Sequence, residues 1–300
     1  LYTSRMMKQS PKILLSEAEH HSNLLPWQQL PDVQLTYLEE IANRSSLKVT
    51  SNEYTFDIVA LNYVSNVTGQ INPVEQIREQ FGASYLILDV AQAVGHMPID
   101  VKTLGADFIS FSGHKMYGPM GIGVIWGKKE LLQKMSPFKF GGGMIREVRR
   151  ESSTWATGPA KFEAGTPSVA DAIALGSAVD FIQEIGFKEI QTHENNLRRY
   201  LYNKLLKLEN IKIYHPDLSE DAAAVISISI DGAHPHDLAQ YLGDHSICVR
   251  AGHHCTQILH REVLKIPASL RISLGIYNLE EDIDTLITSL EEAIKIFKRQ

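Results

Sequence analysis

The chain has 300 residues, 44% hydrophobic and 21% charged, enough for one large domain or two smaller ones and too apolar for a disordered or collagen-like chain. Lys+Arg 29 against Asp+Glu 35 leaves a net charge of −6 with no basic block, which argues against an electrostatic nucleic-acid binder. No apolar run approaches the roughly 20 residues that span a bilayer, residues 1–30 lack a signal-peptide plan, and two cysteines are too few for a disulfide scaffold, so the sequence reads as a soluble intracellular protein.

Taken in chain order, the first half alternates strand-like runs with helical stretches, the pattern of a parallel α/β sheet. The runs are Asp57 to Tyr63, Tyr85 to Val90, Asp107 to Phe111 and Gly121 to Trp126. Pro73 to Phe81 predicts a crossover helix, with Val74, Ile77 and Phe81 at helical spacing. From Ser168 to Ile185 a helix is predicted to bury Val169, Ile173, Gly176, Val179 and Ile182, and a more charged helix follows from Phe187 to Leu208. The domain boundary falls near Gly186, giving a large domain at 1–185 and a smaller α/β domain at 186–300. In the latter, strands are expected at Ala223 to Ile230, Ile247 to Arg250 and Leu270 to Leu274, with a helix near His236 to Leu242. A last helix runs from Leu279 to Phe297, with Asn278 as N-cap, Glu281 in capping-box position and a stripe of Ile283, Ile287, Leu290, Ile294 and Phe297.

Three motifs carry chemistry. In SFSGHKMYGPMGIGVIW (110–126), a strand ends in small residues and presents His114 and Lys115 where sheet proteins place ligands, so Lys115 is a candidate Schiff-base lysine. Read alone, it is more simply a surface lysine in a loop. Asp89 ends the apolar run YLILD, where a carboxylate needs a partner such as the protonated ring nitrogen of pyridoxal phosphate; capping a turn is the plainer alternative. In VRAGHHCTQ (249–257), Cys255 follows two histidines near Arg250, whose charge favours a thiolate and makes Cys255 a candidate nucleophile. Cys248, inside ICV, reads as a small core residue. Zinc binding by His253, His254 and Cys255 is the rival reading, disfavoured because consecutive side chains converge poorly on one ion; no metal is expected. His193, His215, His234, His236, His245 and His260 read as surface histidines.

These motifs, with EAEHHSNLLPW (17–27) and FEAGTPS (162–168), resemble the class V aminotransferase-like family, and within it the SufS-type (group II) cysteine desulfurases and selenocysteine lyases. Group I enzymes carry their cysteine in a longer Ser/Ala-rich loop. The resemblance implies the type I fold of pyridoxal-phosphate-dependent transferases, a mostly parallel sheet with helices on both faces plus the smaller C-terminal α/β domain. It implies pyridoxal 5'-phosphate held covalently by Lys115 and at its ring nitrogen by Asp89. His20 would stack on the ring, Asn66 and Gln92 would contact its phenolic oxygen, and Ser112 and His114 would hold the phosphate, with Thr166 reaching in from the second subunit of a homodimer. Arg271 in SLRISLG matches the substrate-carboxylate arginine; without the resemblance it reads as a strand-end surface residue. The implied reaction takes sulfur from L-cysteine, or selenium from L-selenocysteine, leaving L-alanine and a persulfide on Cys255. The sulfur would pass to an acceptor protein of the SufE or SufU type for iron–sulfur cluster assembly in the cytoplasm.

The chain departs from the family pattern in two places. Only Leu1 to Lys12 precede the matching region, so a helix-N-terminal phosphate-binding loop is expected to be missing, and residues 28–40 read as a shortened strand and loop. The alternatives to an active desulfurase are an impaired fragment or paralogue that keeps dimer or partner surfaces, and a plain class V aminotransferase, which has no need of Cys255.

Overall fold

The computed structural model describes residues 10–38, 55–218 and 221–297. Residues 1–9, which include most of the short leader, and Glu39 and Glu40 at the end of the expected shortened segment lie outside the described residues.

The chain begins with β1 (Lys12–Ser16), α1 (His21–Gln28) and β2 (Gln34–Leu38), then β3 (Ile58–Asn62), α2 (Val74–Gln80), β4 (Tyr85–Asp89), β5 (Phe108–Ser112) and β6 (Gly123–Gly127). These strands form one six-stranded sheet in the order β2-β1-β3-β4-β5-β6, parallel except for the antiparallel β6. In the described part of the segment expected to be a shortened strand and loop, Gln34–Leu38 is an edge strand paired along β1. The sheet is buried on both faces, and alternation sorts the side chains. Leu14, Val59, Leu61, Leu86 and Leu88 face the core shared with α2. Ile13, Leu15, Ile58 and Ala60 face the opposite core, which Leu24 of α1 closes.

Next come α3 (Lys129–Lys134), an exposed hairpin of β7 (Ile145–Val148) and β8 (Ser153–Trp155), and the long helices α4 (Val169–Ile185) and α5 (Phe187–Leu205). The stripe expected on α4 is corrected. Leu175, Ala178 and Ile182 are buried against the large core, whereas Val169 and Ile173 are 57% and 68% exposed. A helix apolar around most of its circumference does not declare its inner face by period. Along α5, Ile190 still belongs to the first core and Leu197, Leu201 and Leu205 to the second.

The second core is built by β9 (Ile211–Tyr214), β10 (Val225–Ile230), α6 (Pro235–Asp244), β11 (Arg250–Gly252), β12 (Ser269–Ser273) and α7 (Glu280–Phe297), with an antiparallel sheet in the order β11-β12-β10-β9. Three expectations fail here. The strand placed at Ile247 to Arg250 starts only at Arg250, and Cys248 is exposed rather than a core residue. Asn278 does not cap α7: its Oδ1 accepts the Gly275 N–H, and Asp282, not Glu281, takes the Leu279 N–H at 3.0 Å. His260 is fully buried, and His193 and His215 are half-buried, their ring nitrogens meeting the carbonyls of Asn278 and Pro216. No helix among the described residues is long and apolar enough to cross a membrane.

Candidate active site

The carboxyl ends of the parallel strands converge, and the residues just past them are those the motifs singled out. Ligands in open α/β sheets bind at such ends. His20 follows β1, Asn66 follows β3, Asp89 closes β4, and Ser112 closes β5 before the tight turn Gly113–Met116 that carries Lys115. Gly95 lets this turn sit close, because a Cβ there would meet the Lys115 carbonyl oxygen at 2.7 Å.

An open cavity of about 650 Å³ is lined by His20, Ser22, Asp89, Ser112, His114 and Lys115, with Arg250 arriving from β11. Burial holds Lys115 below the usual lysine range; Arg271 and Arg250 push the same way, against the opposing charge of Asp89. That environment suits an amine that must lose its proton to react. Asp89 Oδ1 accepts the Ala91 N–H at 2.9 Å, as the turn-capping reading expects, and the residue also lines the cavity. His20 accepts the Ser22 N–H at Nδ1, which puts its proton on Nε2, and burial followed by the Lys115 charge keeps the ring neutral by lowering its pKa.

Cys255 comes from the other unit. Its Sγ lies 3.8 Å from Arg250 Nη2. His254 and Cys255 are both left-handed, at φ 52° and 61°, a conformation that costs a non-glycine residue about 1 kcal/mol or more. The turn is held in place from outside. Its Cys255 carbonyl accepts the His21 N–H at 2.8 Å, the Gln257 N–H donates to His21 Nε2 at 3.2 Å, and Asn66 Nδ2 donates to the His254 carbonyl at 2.7 Å. Arg271, at mid-strand on β12 and not at its end, donates from Nη1 to the Asn66 carbonyl at 3.0 Å. Its buried Nε has no hydrogen-bond partner, and burial lowers its pKa to about 10, still a cation at neutral pH.

Gln92, Asn66 and Thr166 do not line the cavity. Asn66 is committed to the His254–Cys255 turn, because a buried amide donor needs an acceptor. Thr166 is exposed on the loop before α4. Among the described residues no His, Cys, Asp and Glu group is arranged to hold a metal ion. Sequence reasoning missed two residues of the EHH motif's neighbourhood. His21 ties the cysteine turn down, and Glu19, 2% exposed, accepts from Ser16 Oγ at 2.6 Å, from the Asn62 N–H and side-chain amide at 3.0 and 3.2 Å, and from Asn23 Nδ2 at 2.7 Å. Around Glu19, the sequence neighbours Glu17, Ala18, His20 and His21 give no sign of that burial.

A family model described as aminotransferase class-V matches residues 2–286. A probable cysteine desulfurase of Halalkalibacterium halodurans is 44% identical over 306 residues, spanning 99% of this chain and 74% of that protein. A cysteine desulfurase of Haloferax volcanii is 38% identical over 95% of this chain and 68% of its own length. The apo structure of the cysteine desulfurase from Thermococcus onnurineus superposes with a TM-score of 0.91 at 36% identity, covering 97% of this chain and 74% of that one.

Proposed function

The chain belongs to the class V aminotransferase family, among its pyridoxal-phosphate-dependent cysteine desulfurases, and on that premise we propose that Lys115, Cys255 and Arg271 carry the removal of sulfur from L-cysteine. The observation that carries this reading is that Arg250, from the C-terminal unit, lines the cavity of Lys115 and Asp89 while its Nη2 lies 3.8 Å from Cys255 Sγ.

The residues fit the cofactor. Lys115 would hold it covalently, Asp89 would keep its ring nitrogen protonated, His20 would cover the ring, and Ser112 and His114 would contact its phosphate. When bound, pyridoxal 5'-phosphate supplies a carbonyl for the substrate amine and a ring that draws electrons from the substrate Cα. Lys115, whose proton burial makes easier to lose, is then the base that takes the Cα proton. Arg271 offers its unpartnered Nε–H to the substrate carboxylate. Cys255 attacks the substrate sulfur as a thiolate: an S–S bond forms as the C–S bond breaks, the C–S electron pair stays with the substrate carbon, which takes up a proton, and L-alanine leaves once Cα is reprotonated, with Arg250 beside the attacking sulfur.

The persulfide would pass to an acceptor protein of the SufE or SufU type, supplying iron–sulfur cluster assembly. A homodimer is part of the proposal: Met120, Ile125, Val169 and Ile173 are exposed apolar side chains, Ile125 among those lining the cavity, and Thr166 would reach the partner's phosphate site. The test is Cys255→Ala and Lys115→Ala beside the parent chain with added pyridoxal phosphate. Cys255→Ala keeps the visible absorption and loses alanine formation from L-cysteine, and Lys115→Ala loses the borohydride-reducible band. Undiminished alanine formation by Cys255→Ala overturns the reading.

A further inference from the structure

The residue before the nucleophile, His254, has no task in the chemistry above, yet it is 2% exposed and its hydrogen bonds have a fixed direction. The Thr256 carbonyl can only accept, so His260 Nδ1, 3.0 Å away, donates to it. The neutral His260 then has a bare Nε2, which takes the Ser269 hydroxyl proton at 3.0 Å. With that proton committed, Ser269 Oγ accepts from His254 Nε2–H, again at 3.0 Å. The run ends at His254 Nδ1, a buried lone pair with no hydrogen-bond partner. Both rings are neutral: burial, then Arg271, brings His254 down to about 3, and burial also lowers His260.

On the backbone side, the His254 carbonyl receives Asn66, whose own carbonyl receives Arg271. Ser269 and Arg271 stand two positions apart on β12 and so share one face. One strand therefore carries both the arginine for the substrate and the serine that grips the nucleophile's neighbour.

We propose that His254 is a positioning residue for sulfur transfer: tied through Ser269 to His260, it locks the left-handed pair His254 and Cys255 and keeps the Cys255 thiol against Arg250. This rests on Cys255 being the nucleophile and goes further in naming what aims it. A residue that only aims the thiol matters to transfer and not to the capture of cofactor or cysteine.

The experiment uses the full chain loaded with pyridoxal phosphate. His254→Leu removes the donor to Ser269, and His254→Gln returns an N–H at nearly the same reach. Expected for His254→Leu are a kcat lower by about tenfold or more, a KM for L-cysteine within about twofold, and retained visible absorption. In the unloaded chain, iodoacetamide alkylation of Cys255, read by mass spectrometry against the exposed Cys248, slows by about threefold or more. His254→Gln restores most of the kcat and of the alkylation rate. Should His254→Leu fail to fold, Ser269→Ala carries the same two readouts. Parental kcat and alkylation in whichever variant folds, or a loss that His254→Gln does not relieve, overturns the proposal. An active Cys255→Ala instead removes the functional reading beneath it, so the two failures are distinguishable.

Discussion

Glu19 shows what one buried side chain does to the pH response of the fold. Burial raises its carboxyl to about 8 from an ordinary 4.5, with Asp89 adding to the shift and the donors from Ser16, Asn62 and Asn23 opposing it. The folded chain thus holds this proton where the unfolded chain has released it. The stability this proton contributes is full below about 4.5 and is lost as pH rises toward 8, at up to about 1.4 kcal/mol per pH unit. Glu19→Gln should flatten that slope, measured as the urea midpoint between pH 5 and 8; equal slopes in parent and variant refute the assignment. At this scale the sequence was most informative where motif and burial agree: Lys115, Asp89, His20 and Arg250 all line one cavity. It misled where a residue's surroundings are set from far away. Cys248 sits in an apolar triplet that local pattern reads as strand, yet pairing with β12 begins only at Arg250. His260 precedes the charged pair Arg261 and Glu262, yet its ring is buried and bonded to Ser269 and Thr256.

Between elements, Asp107 does the joining just before β5. Its Oδ2 accepts the Leu86 N–H of β4 at 2.8 Å and meets Arg78 of α2 at 3.3 Å, while Oδ1 meets Lys128, which follows β6, at 2.7 Å. Removing it strands a buried N–H and frees two cations, so Asp107→Ala is expected to cost about 3 kcal/mol in urea unfolding; a loss within about 0.5 kcal/mol, the usual range for surface changes, would contradict this role. Lys161 does similar work elsewhere, its Nζ donating to the carbonyls of Leu132, Gln133 and Met135 at the end of α3. Interior strands β3, β4 and β5 were legible because a sheet covered on both faces demands continuous apolar runs. The edge strand β2, QLTYL, alternates between exposed and half-buried positions until Leu38 and lacks that signature, which is why the segment reads only as a shortened strand and loop.

At the scale of the molecule, two units with separate cores share one site, and His96 of the sheet unit holds Glu194 of α5 at 2.8 Å across their junction. The open apolar face at the start of α4 makes the dimer testable: Ile173→Glu should shift the chain from dimer to monomer in sedimentation velocity, and a parent chain that is already monomeric would exclude that interface. Neither the junction nor this face was legible beforehand, because local periodicity does not say which buried face meets another unit or another copy. The hydrogen bonds that seat the cysteine turn have a bearing on time as well as on shape. Gln257 meets His21 across 236 positions, and His254 meets Asn66 across 188. Contacts so distant along the chain form late in folding, after the loops between them have closed. In the proposed mechanism the thiol is aimed only where both cores have formed, so a partly unfolded chain would hold Lys115 and Cys255 apart.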